Sequence, residues 1–220
     1  MALRVYRYGE RILREKSEPV AVVDQSLRQL ADDMLETMHE ARGVGLAAQQ
    51  VGRRERMCVI DIPAGCDSLE DEAFNAPIQM PLKLFNPTIV SCEGSQRDKE
   101  GCLSFPGIGG TLTRAAQVVC QYVDEENRPQ VITARGFLAR ALQHEIDHLE
   151  GVLYEAEEPP VMNGVVGQMS LEELAAGDAE GETGDEPSDE PAVEPDADAA
   201  DDADNPVSAN SGESSDELAE

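Results

Sequence analysis

Positive charge is scarce in this chain and absent from its last third. The 220 residues include 17 Lys and Arg, all at or before Arg140, against 45 Asp and Glu, for a formal net charge of −28. Nucleic-acid binding needs clustered cations to displace phosphate counterions, and no stripe of Lys and Arg occurs, so direct nucleic-acid binding is not expected. Long apolar runs are missing too. The opening stretch "MALRVYRYGERILREKSEPV" has no uninterrupted apolar segment of signal-peptide length, and no window offers the ~20 apolar residues that span a bilayer. A cytoplasmic protein without membrane contact is the expectation. Five cysteines make an odd number, which in a reducing compartment argues against a disulfide framework; each is first read as a small buried hydrophobe.

The charge divides the chain. Residues 161–220 hold 19 acids and no Lys or Arg. Beyond Gly177 the sequence is Asp, Glu, Ala, Pro, Ser and Gly with almost no large apolar residue, a composition that cannot offset the entropy of ordering. The reading is a folded domain over residues 1–158 and an acidic, disordered, low-complexity tail over 159–220, whose partner the sequence does not name. Within the tail, "SLEELAA" carries a capping box, Ser170 with Glu173, that suits one or two helical turns.

In the first part, "SLRQLADDMLETM" spaces Leu27, Leu30, Met34, Leu35 and Met38 as one face of an amphipathic helix ending near Arg42. "RMCVIDI", 56–62, reads as a strand, and 63–81 as an exposed excursion. "KLFNPTIVSCEG" reads as two extended pieces broken at Asn86–Pro87, because proline excludes a continuous central strand. "AAQVVCQYVDEENRPQVITARG" predicts a hairpin turning at "DEENRP". In "LARALQHEIDHLEGVLY", Leu138, Ala141, Leu142, Ile146 and Leu149 share a helix face that Gly151 terminates. The class is α+β: mixed or antiparallel sheets packed around a central helix that carries the H-E-x-x-H pattern.

That helix holds two of only three histidines. His144 and His148, four apart, lie one turn above each other and converge on one ion; Glu145 projects about 100° from His144 and addresses a water there without ligating. Two imidazoles suit Zn(II) or Fe(II), and the carboxylate suits general-base work. A third protein ligand is required, and no histidine follows His148. Upstream, "EGCLSFPG" places Cys102 in a tight, turn-like segment able to aim one thiolate.

Together, "GVGLAAQQ" (43–50), "EGCLS" (100–104) and "QHEIDHLEG" (143–151) closely resemble the three signature motifs of peptide deformylases, in the same order. The resemblance covers roughly the first 155 residues. It implies Cys102, His144 and His148 as metal ligands, Glu145 as the acid/base, and Gln50 with the backbone N–H of Leu103 as oxyanion donors. Val44 and Gly45 would pair by backbone with the substrate, where a residue without Cβ permits close approach. The implied reaction removes the N-formyl group from the formyl-methionine of new polypeptides. The metal acidifies a water, Glu145 takes its proton, attack falls on the formyl carbon, and formate leaves behind a free N-terminal methionine. The implied cofactor is Fe(2+), although Zn(2+), Ni(2+) or Co(2+) fit the same donors. The implied partners are nascent N-formyl-methionyl polypeptides at the ribosome.

Around this set, Glu100 and Arg114 resemble the family's ion pair bracing the cysteine segment, with two solvated charges as the alternative. Gln143 is expected to hydrogen-bond near the metal loop. Phe137 and Ala141 line a methionine pocket or belong to the core. His39 is expected to be a partly exposed helix-end residue without catalytic task. Three departures stand out: "YGER" lacks the proline usual after the tyrosine, "PGIGGTL" has glycines where some relatives place a charged substrate contact, and the acidic tail replaces a basic ribosome-docking helix. The rival readings are an H-E-x-x-H metalloprotease, which would not need Cys102, and an inactive metal-binding protein, which would need neither Gln50 nor Glu145.

Overall fold

The computed structural model describes residues 2–153 and the backbone of 161–162 and 165–166. The chain divides into two units, Met1–Glu180 and Gly181–Glu220, and every described residue belongs to the first. The expected boundary at 158/159, the Ser170 capping box and the acidic tail lie outside the described residues.

Helix α1 (Gln25–Glu40) starts where Asp24 accepts the Leu27 N–H at 3.0 Å, relieving one of the first-turn donors. Strands β1 (Gly45–Ala47) and β2 (Met57–Ile60) follow, then α2 (Leu69–Asn75), β3 (Leu82–Glu93), β4 (Gln96–Gly101), β5 (Ile108–Arg114), β6 (Gln117–Val123), β7 (Pro129–Arg135) and α3 (Gly136–Leu149). The short strands β8 (Val161–Met162) and β9 (Val165–Val166) come last among the described residues. One sheet runs β1-β2-β3-β6-β7 and the other β4-β5-β8-β9, antiparallel throughout.

All four residues of β2 are buried, which a strand facing water on one side could not afford. The reason is a helix on each face. Cys58 and Ile60 join a cluster with Leu138, Leu142, Ile146 and Leu149 of α3, while Met57 and Val59 join Leu30, Met34 and Met38 of α1. Residues alternate across the strand, so one segment serves both cores. Gly151, at φ 72°, ends α3 in the left-handed conformation, where a Cβ would meet the Arg14 carbonyl oxygen at 2.6 Å.

Three expectations need correction. Strand β3 is continuous through Asn86–Pro87 and is the middle strand of its sheet. A register shift between Phe85 and Thr88 takes Pro87 out of the ladder, so its missing N–H costs no hydrogen bond. The excursion at 63–81 is exposed but contains α2, capped where Ser68 accepts the Asp71 N–H at 3.1 Å. Of the cysteines, Cys58 and Cys120 are buried, but Cys66 and Cys92 are exposed.

Candidate metal centre and cleft

Helix α3 packs its apolar residues with those of the five-stranded sheet, while its Arg140 and His144 bond to the β4–β5 pair and its Glu145 faces Gly45 of β1. His144, Glu145 and His148 are all buried. Cys102 directly follows β4, in the turn before β5. The ligating atoms of Cys102, His144 and His148 lie within 4.8 Å of one another, and Cys102 Sγ is 3.2 Å from His148 Nε2. The His144 and His148 rings stand edge to face, with centroids 4.8 Å apart. The site thus combines one soft and two borderline donors, the set that suits Fe(II) or Zn(II).

His144 Nδ1 is 2.9 Å from Glu100 Oε2, which fixes the ring and leaves Nε2 for an ion. Burial alone would raise Glu100, but hydrogen bonds from His144 and Arg114 outweigh it and hold the carboxyl at about 2. Arg114 grips both Glu100 oxygens, at 2.9 and 3.1 Å, and also pairs with Asp147. The Glu100 and Arg114 side chains are 4% and 11% exposed, which rules out the reading as solvated charges.

Arg140 was not singled out by its sequence position. Its buried guanidinium donates to Glu100 Oε1 at 2.7 Å and to the Leu112 carbonyl at 3.2 Å, and reaches the Gln96 carbonyl at 3.3 Å. It therefore ties α3, which carries the histidines, to the two strands that aim Cys102. The available signal was spacing: Arg140 precedes His144 by four residues and shares its face.

Gln50 sits in a short helical turn after β1. Its Oε1 accepts the Ala47 N–H at 2.8 Å, and its Nε2 points to Cys102 Sγ at 3.4 Å and Ser104 Oγ at 3.2 Å. No hydrogen bond of the Leu103 N–H occurs among the described residues. The N-terminal segment holds both loops, since the Tyr6 N–H donates to the Gln50 carbonyl at 2.7 Å and the Tyr8 N–H to Ser104 at 2.9 Å.

Burial pushes the Glu145 carboxyl up to about 7, and its buried Oε2 has no hydrogen-bond partner among the described residues. A Cβ at Gly45 would overlap that carboxylate. Glycine at 45 thus answers to Glu145 within the protein, in addition to any approaching peptide. Burial lowers His144, but hydrogen bonds to Cys102 and Glu100 raise it to about 10; a bound cation would displace that proton, because a ligating imidazole is neutral.

A cleft of about 730 Å³ opens above these groups, lined by Gly43–Gly45, Gln50, Leu103 and Glu145 among others. Phe137 and Ala141 line it as well, and Ala141 also belongs to the core cluster. Strand β1 is the last strand of its sheet, so one edge has no strand partner among the described residues. Val44 is held from the other side, where its carbonyl accepts the Asp61 N–H at 2.9 Å. Gln143 departs from expectation: it bonds the Ala115 N–H and carbonyl, each at 3.0 Å, and so braces the β5–β6 corner instead of the metal loop. His39 is half exposed and pairs with Asp61 at 2.8 Å.

Two helical histidines one turn apart, an intervening carboxyl and a thiol in the turn after β4 make the donor set of a mononuclear metallohydrolase. The family described as polypeptide deformylase matches residues 2–158, and the chain belongs to that family. The peptide deformylase of Pelotomaculum thermopropionicum is 43% identical over 151 residues, 69% of this chain and 88% of that protein. Among solved structures, peptide deformylase from Ehrlichia chaffeensis in complex with actinonin is 40% identical, with a TM-score of 0.63 over 69% of this chain and 86% of that one. The Met-Ala-Ser-bound class I type b enzyme from Acinetobacter baumannii is 33% identical, with a TM-score of 0.61 over 70% of this chain and 96% of that one. The structural neighbours carry the same α+β fold.

Proposed function

We propose that this protein hydrolyses the N-formyl group of N-formyl-methionyl polypeptides at the cleft above Cys102, His144 and His148. The observation that carries the reading is the convergence of those three donors within 4.8 Å, beside a Glu145 oxygen that has no hydrogen-bond partner among the described residues. The donors fit a divalent metal, with Fe(2+) as the proposed ion; a thiolate ligand then brings sensitivity to oxidation. When bound, such an ion supplies Lewis acidity and makes a water more acidic.

The protein's own groups carry the remaining steps. Glu145 takes the proton from the attacking water and later returns it to the departing amine. Charge that develops on the formyl oxygen meets the Gln50 amide and the Leu103 N–H, both fixed before substrate arrives. The Val44–Gly45 backbone, on the open edge of β1, pairs with the peptide as an added strand. Phe137 and Ala141 form part of the wall that receives the methionine. The Met-Ala-Ser bound to the Acinetobacter relative has the form of such a product.

The domain so defined spans 1–158, with an acidic appendage at 159–220. Its proposed location is the cytoplasm, with nascent polypeptides at the ribosome as substrates. No helix among the described residues is long and apolar enough to cross a membrane. The test is mass spectrometry of a formyl-methionyl peptide after anaerobic incubation with the protein. Loss of the formyl group with every peptide bond intact is expected; internal fragments would favour the metalloprotease reading instead.

A further inference from the structure

Among the described residues, the side chain of every Lys and Arg except two makes a hydrogen bond, ion pair or ring contact, and the two exceptions, Arg42 and Lys99, both line the catalytic cleft. Both are exposed. The other charged residues in that wall, Glu100, Arg140 and Glu145, are buried, and the first two neutralise each other. Of the acids nearest in sequence, Glu100 is held by Arg114 and Arg140, while Glu40 and Asp98 do not line the cleft; Asp98 Oδ1 instead accepts the Lys99 backbone N–H at 2.7 Å. In a chain of net charge −28, two cations at one opening thus have no ion pair among the described residues.

The backbone at Arg42 adds a second observation. The Arg42 N–H donates to the His39 carbonyl at 3.0 Å and the Gly43 N–H to the Met38 carbonyl at 2.9 Å, so α1 ends in a Schellman motif. Arg42 occupies the left-handed position of that motif, with φ 57°, where glycine is the usual residue. An arginine there sacrifices stability, and strain of this kind gathers at functional sites. Arg42 lies just before the Val44–Gly45 backbone, and Lys99 just before the Glu100–Cys102 segment. The two thus reach the cleft from separate segments, Arg42 from the end of α1 and Lys99 from strand β4.

We propose that Arg42 and Lys99 form a cationic rim that selects acidic side chains in the residues after the formylated methionine. This specificity rests on the deformylase reading above. The rim acts on ground-state binding, so it changes KM more than kcat.

The test compares kcat/KM for formyl-Met-Asp-Asp-amide, formyl-Met-Ala-Ala-amide and formyl-Met-Lys-Lys-amide, using the full-length, metal-loaded protein. Amidation removes the terminal carboxylate, so that any preference belongs to the side chains; the free-acid form of the Ala peptide reports the terminal group separately. At ~0.1 M salt, where distant charges are screened, the Asp peptide should exceed the Ala peptide by about threefold to tenfold, with the Lys peptide lowest. The spread should collapse at ~1 M salt and in Arg42→Gly/Lys99→Gln. Arg42→Gly alone should raise the thermal midpoint while shrinking the spread, which separates lost selection from lost folding. Equal kcat/KM for the three amides, or a spread that survives in the double variant, would overturn the inference. No turnover of the Ala peptide would defeat the deformylase reading itself.

Discussion

Glu145 is buried with one oxygen unpaired among the described residues, and its freedom is limited by a residue on another element. Gly45 is held in β1 by its pairing with Ile60, so a Cβ there would push the Glu145 carboxylate aside. Gly45→Ala should therefore lower kcat by about 10²-fold, the usual cost of misplacing a reacting group by ~1 Å, with metal content unchanged. Full kcat in that variant would show that Glu145 has room the packing denies it. Glu100→Gln removes the charge and one of the two acceptor oxygens shared by His144, Arg114 and Arg140. Buried Arg140 then loses its carboxylate partner and Arg114 keeps only Asp147, at a cost of about 3–5 kcal/mol in stability. Metal affinity should weaken by about 10–100-fold, as measured by competition with a chromophoric chelator. Sequence made Cys102 legible through an absence, since no histidine follows His148. Arg140 stayed hidden because a charged residue on an amphipathic helix looks like solvent-facing surface until the opposing carbonyls are in place.

Elements that declare themselves by local pattern were readable in advance. Helices α1 and α3 show the apolar spacing of a 3.6-residue turn, and β6 and β7 alternate on both sides of a turn. Strand β4, "QRDKEG", has no such pattern; only its pairing with β5 makes it a strand. Pro87 misled for a related reason, because a bulge is a property of two strands and cannot be seen in one. The β6–β7 turn is pinned by Asp124, which accepts the Arg128 N–H at 2.9 Å and the Glu126 N–H at 3.0 Å. Burial would raise its carboxyl, but the Arg128 N–H and the Gln130 and Arg128 side chains outweigh it and lower Asp124 from 3.8 to about 2. A depressed acid stabilises the fold fully above its unfolded value, and that contribution is lost as pH falls toward the folded one. The stability gap between wild type and Asp124→Ala, from urea unfolding, should be largest above pH ~4 and should narrow toward pH ~2. A gap that stays constant across that range would mean the turn does not depend on the ionised carboxylate.

At the scale of the molecule, two sheets and a helix bring three distant segments to one point: the loop around Gln50, the turn at Cys102 and the helix at His144–His148. The α+β class was legible, but the strand order was not, because β1-β2-β3-β6-β7 depends on which edges find partners and not on any one strand's composition. Removing residues 181–220, the second unit of the chain, should leave turnover of a short formyl-peptide within about twofold; the cleft-lining residues all belong to the first. The central claim is that Glu145 moves the proton for hydrolysis at a Cys102–His144–His148 metal site. It is tested most directly by formate release from formyl-Met-Ala-Ser, measured anaerobically for wild type and Glu145→Gln at matched metal content. Formate from the wild type, and a loss of at least about 10²-fold in the variant, is the predicted result. Turnover by Glu145→Gln at the wild-type rate would contradict it.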